Sequence, residues 1–221
     1  MAAAPSRVLD APSAAHDIFG DRFDIVAAYV DQLAGPATER GLLGPREGPR
    51  LRERHILNSV GLAELLHPGQ AVLDLGSGAG LPGIVLALRR PDIRVILVEA
   101  ILRRATFLSE TVAMLGLDNV SVHRGRAEEM PRTTRVEVVT ARAVAPLDRL
   151  IRWSMPLLAG GGRLLALKGE QVEEEVATVR PMLKNAGAAA LEVVTVGMAE
   201  QLTQARVVVV ERTAERGRSR R

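Results

Sequence analysis

Three features of this 221-residue chain predict an α/β fold whose seven strands form a mostly parallel sheet with an antiparallel end. Strand-like apolar runs alternate with helical periodicity through the middle of the chain, as βαβ units require. The stretch V-L-D-L-G-S-G-A-G-L-P-G at Val72–Gly83 reads as strand, tight glycine loop and helix. Finally, the last two apolar runs, Leu191–Val196 and Ala205–Glu211, lie too close together for a crossover helix, so they pair antiparallel.

Hydrophobic residues make up 47% of the chain and charged residues 25%, enough for a sizeable core in a chain of one domain. There are no cysteines, which excludes disulfides, Cys-ligated zinc, iron–sulfur clusters and a Cys nucleophile. Only Phe19, Phe23, Tyr29, Phe107 and Trp153 are aromatic, so base recognition by a broad aromatic platform is not expected. The net charge is +3 and nearly all the base is arginine, with Lys168 and Lys184 the only lysines. Arginine suits phosphate and planar hydrogen-bonding partners. No signal peptide is visible, and no apolar run approaches the ~18 residues of a membrane span. A cytoplasmic protein is expected.

Residues 1–20, rich in Ala, Pro and Ser, are expected to be disordered, and residues 21–68 to form a helical extension. In the extension, apolar positions recur at helical spacing from Ile18 to Leu33, and Arg50–Leu66 reads as a second helix with a basic start. Residues 69–212 form the main domain. Its strands are Ala71–Leu75, Arg94–Glu99, Val120–His123, Val136–Ala141, Arg163–Lys168 and the final pair. Its helices are Gly83–Arg90, Ile101–Leu115, Leu147–Leu158 and Gln171–Ala186. Gly160–Gly162 is expected to break the third of these and Pro181 to kink or split the fourth. Residues 213–221 read as a basic flexible tail.

The glycine loop carries the chemistry. Without Cβ atoms, its backbone can approach a ligand closely, and the helix start beyond it offers unpaired N–H groups. Gly76, Gly78 and Gly80 spell G-x-G-x-G, with Leu81 standing where a dinucleotide fingerprint needs glycine. Glu99 ends the next strand, about 20 residues on, where a ribose-binding carboxylate belongs. The missing glycine and the antiparallel ending argue against an NAD-dependent dehydrogenase. The histidines show no metal-ligand spacing. Taken alone, Arg50, Arg52 and Arg54 read as a solvated helix face, Arg103 and Arg104 as surface residues, and Trp153 as a core residue.

The strand–loop–helix, the acid after the second strand and the antiparallel ending resemble the class I S-adenosylmethionine-dependent methyltransferases, whose sheet is Rossmann-like. The resemblance narrows through an ordered set of blocks: R-x-R-H-I-L-N-S at Arg52–Ser59, the loop itself, Arg103, Arg104, Phe107 and Leu108, then N-V-x-V-x-x-G-R-A-E-E at Asn119–Glu129, T-A-R-A-V-A-P-L at Thr140–Leu147, and L-A-L-K-G-E at Leu165–Glu170. Together these are similar to the small-subunit ribosomal RNA methyltransferase G family. A W-N…N-L-T pattern usual in that family before residue 50 is absent.

The resemblance implies methylation of guanine N7 in the decoding-region loop of bacterial 16S ribosomal RNA. It implies S-adenosylmethionine as cofactor, S-adenosylhomocysteine as product, and the RNA or the small ribosomal subunit as partner of a monomeric enzyme. Cofactor contacts fall on Gly76, Ser77, Gly78, Gly80, Leu81, Glu99, Ala127, Glu128 and Arg142, with Arg142 also at the junction with substrate. RNA contacts fall on Arg54, His55, Arg103, Arg104, Arg126 and Lys168. The chemistry agrees in part. Guanine N7 already holds a lone pair, so alignment rather than deprotonation is the main demand. The fourth strand accordingly lacks the D-P-P-Y type of motif that exocyclic-amine methylation suggests. A small-molecule methyltransferase and a non-catalytic RNA-binding protein are the alternative readings.

Overall fold

The computed structural model describes residues 17–44, 55–131, 133–169, 171–197 and 204–214. Its strands are β1 (Ala71–Leu75), β2 (Arg94–Glu99), β3 (Val120–Arg124), β4 (Val136–Arg142), β5 (Leu158–Lys168), β6 (Ala188–Val196) and β7 (Ala205–Arg212). They form one sheet in the order β3-β2-β1-β4-β5-β7-β6. β1 to β5 run parallel, and β7 is antiparallel to both β5 and β6. The chain winds outward from β1 in one direction and from β4 in the other. The carboxyl ends of these two neighbouring strands therefore open a crevice, the place where such sheets bind ligands.

The α-helices are α1 (Phe23–Gln32), α2 (Asn58–Gly61), α3 (Gly83–Arg89), α4 (Leu102–Leu115), α5 (Leu147–Ser154) and α6 (Val172–Val179). The period-2 alternation of the strands divides the core between two faces. Val72, Leu97 and Val138 pack with Val26, Tyr29 and Val30 of α1, Ile84 and Leu88 of α3, and Phe107 and Leu108 of α4. Leu73, Leu75 and Val139 pack with Leu147, Leu150 and Ile151 of α5 and Val172 and Val176 of α6. The amino-terminal extension thus shares the hydrophobic layer that covers one face of the sheet. A side chain of Cβ size at Gly61, the last residue of α2, would lie 2.9 Å from the backbone nitrogen of Gly197, so glycine is what lets α2 dock beside the end of β6.

Local punctuation follows the sequence with informative exceptions. α4 stops at Gly116, whose φ of 63° is the left-handed cap that glycine adopts without a Cβ penalty. Pro181 divides the sixth helical region: α6 ends at Val179 and a 3-10 turn spans Arg180–Met182. Pro36 sits inside a widened π-type turn, Leu33–Ala37, that carries the first helical run past its expected end. Residues 17–19 already form a helical turn and Phe19 is buried, so the ordered extension starts ahead of residue 21.

The expected break at Gly160–Gly162 is instead part of β5, and α5 ends at Ser154 rather than at Leu158. The β4–β5 register shifts between Val136 and Val138, and a Cβ at Gly162 would sit 3.0 Å from the carbonyl oxygens of both Ala159 and Glu137. The glycines absorb a bulge without ending the strand. The amino-terminal part of the second expected helix, residues 50–54, and the tail beyond residue 214 lie outside the described residues.

β1 carries one anomaly in its buried face. Asp74 is fully buried, and its Oδ2 accepts a hydrogen bond from the Gly83 N–H at the start of α3, 3.1 Å away. Its Oδ1 has no hydrogen-bond partner among the described residues. Burial pushes the carboxyl up to about 7, against the lowering effects of Ser77, the Gly83 N–H and the Arg142 charge. Gly83 is obligatory here, since a Cβ would stand 2.3 Å from Leu97 Cδ2 and 2.8 Å from Asp74 Oδ2.

Two stability measurements check this description. Leu97 is fully buried, and Leu97→Ala leaves a cavity that lowers unfolding free energy in urea by about 2–5 kcal/mol. For Asp74 the folded-state pKa lies above the unfolded one, so the native state holds the extra proton between about pH 4 and pH 7. Stability from this group is therefore full at low pH and is lost as pH rises through that window, by a few kcal/mol. Asp74→Asn, which mimics the protonated acid, removes that component, and the wild-type minus variant difference in unfolding free energy grows more negative from pH 5 to pH 7.5.

Candidate active site

β1 delivers the chain into the crevice, and the loop after it turns on glycines. Gly76, Gly78 and Gly80 all have positive φ, at 67°, 59° and 102°. Gly76 also faces a close neighbour, because a Cβ there would lie 2.2 Å from Val144 Cγ2. The N–H groups of Gly76 and Ser77 both donate to the carbonyl of Val98 on β2, at 2.8 and 3.2 Å. Ser77 Oγ donates to the Asp74 carbonyl at 2.9 Å, and the Gly80 N–H donates to the Ser77 carbonyl at 2.7 Å. The loop is held to the ends of two adjacent strands before any ligand arrives.

Glu99, at the end of β2, is 4% exposed. Its Oε2 accepts from the Gly78 N–H at 3.0 Å and its Oε1 from the Ile101 N–H at 2.9 Å. Arg104 Nη1 stands 3.9 Å from Oε2. Each carboxylate oxygen keeps further acceptor capacity, so Glu99 fastens the loop and can still accept from a ligand's hydroxyls.

These groups border a cleft of about 460 Å³. Gly76, Ser77, Gly78, Leu81 and Glu99 line one part of it, and Arg126, Ala127 and Glu128, just beyond β3, line another. Arg142, from the end of β4, completes the wall. Of the residues expected to hold cofactor, Gly80 alone is absent from the lining. It is buried behind the loop, where a Cβ would meet Ile84 Cδ1 at 2.4 Å. The combination of backbone loop, second-strand carboxylate and third-strand turn fits a nucleoside with a charged tail.

A second, larger cleft of about 1240 Å³ opens beside the first. Arg142, Ala143 and Val144 border both. Ala143 is the one non-glycine residue with positive φ among those described, at 52°, a conformation disfavoured for L residues and typical of functional turns. His55, Asn58, Lys168, Glu175 and Arg206 line the rest of this cleft.

Arg142 Nη2 lies 2.7 Å from His55 Nδ1. The guanidinium can only donate, so Nδ1 accepts and the proton of the neutral imidazole sits on Nε2. His55 is buried, so it braces Arg142 from the extension side. Lys168 Nζ lies 2.7 Å from Glu175 Oε2 and 3.4 Å from the Ala145 carbonyl, with its side chain 10% exposed. Glu175 Oε2 also accepts from the Leu147 N–H at 3.1 Å, which ties α6 to the first turn of α5. Arg206 pairs with Glu173 on the same rim.

The remaining expected residues are spread around the two clefts. Arg103 is exposed on α4, whereas Arg104 turns into the first cleft beside Glu99. Arg126 is exposed at that cleft's rim. Arg54 lies outside the described residues. Trp153, expected in the core, is half-buried and lines the first cleft. Three contributors escaped the sequence reading. Leu42 and Leu43, from the segment after the first helical run, line the first cleft, and Tyr29 of α1 donates its hydroxyl to the Ala79 carbonyl inside the glycine loop at 2.9 Å. No local signal marks them, since each meets the site through chain folding.

Comparisons with known proteins bear on the family and the fold. The chain is 55% identical over 189 residues to the ribosomal RNA small subunit methyltransferase G of Mycolicibacterium smegmatis, covering 84% of this chain and 80% of that one. It is 49% identical over 214 residues to the protein of the same name from Rhodococcus jostii, covering 96% and 94%. Among solved structures, a transfer-RNA methyltransferase from Aquifex aeolicus superposes with a TM-score of 0.55 at 17% identity, covering 71% of this chain and 68% of that one. The structure of M. jannaschii TYW2 in complex with S-adenosylmethionine superposes with a TM-score of 0.52 at 17% identity, covering 70% of this chain and 73% of that one. At that identity the likeness concerns the fold. The profile of the GidB family, described as rRNA small subunit methyltransferase G, matches residues 23–204, and the chain belongs to that family of methyltransferases.

Proposed function

We propose that the protein methylates guanine N7 in the decoding-region loop of 16S ribosomal RNA, with S-adenosylmethionine as donor. The observation that carries the reading is the pair of clefts meeting at Arg142, Ala143 and Val144, one built for a nucleoside cofactor and one open and cation-lined. The cofactor would be held by the Gly76–Gly78 backbone, Leu81, Glu99 and the Ala127–Glu128 turn, and it supplies an electrophilic methyl on a sulfonium.

Glu99 accepts from ribose hydroxyls while its bonds to Gly78 and Ile101 keep its carboxylate aimed. Guanine N7 attacks through a lone pair it already has, so no side chain needs to act as a base. Arg142, braced by His55, orients the acceptor base at the junction of the two clefts, where a guanidinium can reach O6. Alignment of this kind is a sufficient source of rate for an unencumbered nucleophile. Lys168 and Arg206 flank the acceptor cleft and Arg103 and Arg126 lie outside it, so phosphate groups can be met at several points around the base. Arg54, which lies outside the described residues, would add a further contact to the RNA. The protein acts as a cytoplasmic monomer on the RNA or the small ribosomal subunit; no helix among the described residues is long and apolar enough to cross a membrane.

Mass mapping of 16S ribosomal RNA from cells with and without the gene finds one 7-methylguanosine missing from the decoding region in the deletion strain; an unchanged pattern excludes this substrate. In purified enzyme, Glu99→Gln weakens S-adenosylmethionine binding by about tenfold in calorimetry, the worth of roughly one charge-assisted hydrogen bond. Arg142→Ala lowers kcat on small-subunit particles by more than about tenfold, whereas a non-catalytic RNA-binding protein transfers no methyl group at all.

A further inference from the structure

Tyr29 lies 50 residues before Ala79 yet touches the glycine loop. Its side chain is fully buried in the layer that α1, α3 and α4 build on one face of the sheet. The hydroxyl donates to the Ala79 carbonyl at 2.9 Å, and a Cβ on Gly80 would come within 2.9 Å of the same oxygen. Burial holds the phenol well above its ordinary pKa, so the hydroxyl stays a donor. Besides β2, which takes three loop amides through Val98 and Glu99, two further segments contact the loop: Val144 crowds Gly76, and Tyr29 holds Ala79.

The geometry points to Tyr29 as a positioning residue for the cofactor loop, and with it to the amino-terminal extension as a working part of the cofactor site. This inference rests on the Gly76–Gly80 loop being the S-adenosylmethionine site. The Ala79 carbonyl is buried with the rest of that residue, and Tyr29 is the hydroxyl that satisfies it. Without that donor the Ser77–Gly80 turn loses the restraint on its far side, and the loop backbone that borders the cleft is held from β2 alone. Leu42 and Leu43, further along the same extension, line the cleft itself. The extension thus serves the donor side through Tyr29 and these two leucines, separately from His55, which it presents to the acceptor side.

Tyr29→Phe keeps the ring in its packed place and deletes only the donor. Trp153 is the sole tryptophan and lines the cleft, so its emission reports cofactor binding in the full-length chain. The expected result is a dissociation constant and KM for S-adenosylmethionine raised roughly three- to tenfold. The KM for small-subunit particles and the kcat at saturating cofactor stay within about twofold of wild type. Unchanged cofactor affinity overturns the inference. So does a parallel loss in both KM values and kcat accompanied by a lower unfolding midpoint, which marks a purely structural residue. Glu99→Gln is measured alongside. If it weakens cofactor binding and Tyr29→Phe does not, only the role of Tyr29 fails; if neither does, the loop is not the cofactor site.

Discussion

The site depends on how the turn after β1 is tied to the end of β2. The N–H groups of Gly76 and Ser77 share the Val98 carbonyl, and the next residue along β2, Glu99, takes the Gly78 N–H. Three consecutive loop amides are thereby fixed to one neighbouring strand. This spends donors that would otherwise await a ligand, and in return it fixes the loop's position before binding, which lowers the ordering cost on association. The arrangement requires parallel β1 and β2 in the observed register, with Leu75 opposite Val98, so that both strands end at the same level. A slip of one residue would turn Glu99 to the other face.

Charge is distributed unevenly across the two clefts. Behind the first cleft a buried carboxyl, Asp74, is pushed toward neutrality by burial, so it braces α3 through Gly83 without adding a full negative charge beside Glu99. The second cleft is lined by cations, but two of them, Lys168 and Arg206, are matched to Glu175 and Glu173 on α6. The exposed pair contributes little to stability. Its importance is geometric: the basic rim of the proposed RNA face is held in place by the acidic first turn of one helix.

Much of the fold was legible because it rests on short-range rules. Alternation of apolar runs and helical periodicity located all seven strands, and the short separation of the last two set their antiparallel pairing. The errors came where local chemistry permits two outcomes. Three consecutive glycines read as a break, yet they carry β5 through a bulge, with Leu158 before them paired to Val136 and Arg163 after them paired to Val138. Trp153 read as core because an isolated tryptophan on an amphipathic helix is usually buried. It does pack in part against the core of that face, and its other side lines the first cleft.

By itself the sequence marked the glycine loop and the carboxylate that border the first cleft. Gly76, Gly78 and Gly80 need positive φ, Asp74 and Glu99 end or nearly end consecutive strands, and these facts are local, so their spacing carries them. What the tertiary structure alone decided is which distant segments complete the site. His55 meets Arg142 across 87 positions, Tyr29 meets Ala79 across 50, and Glu175 joins Lys168 to the start of α5. Such contacts arise from which helix face packs on which side of the sheet. That choice is made by the burial of many apolar side chains together, and no spacing within one segment records it.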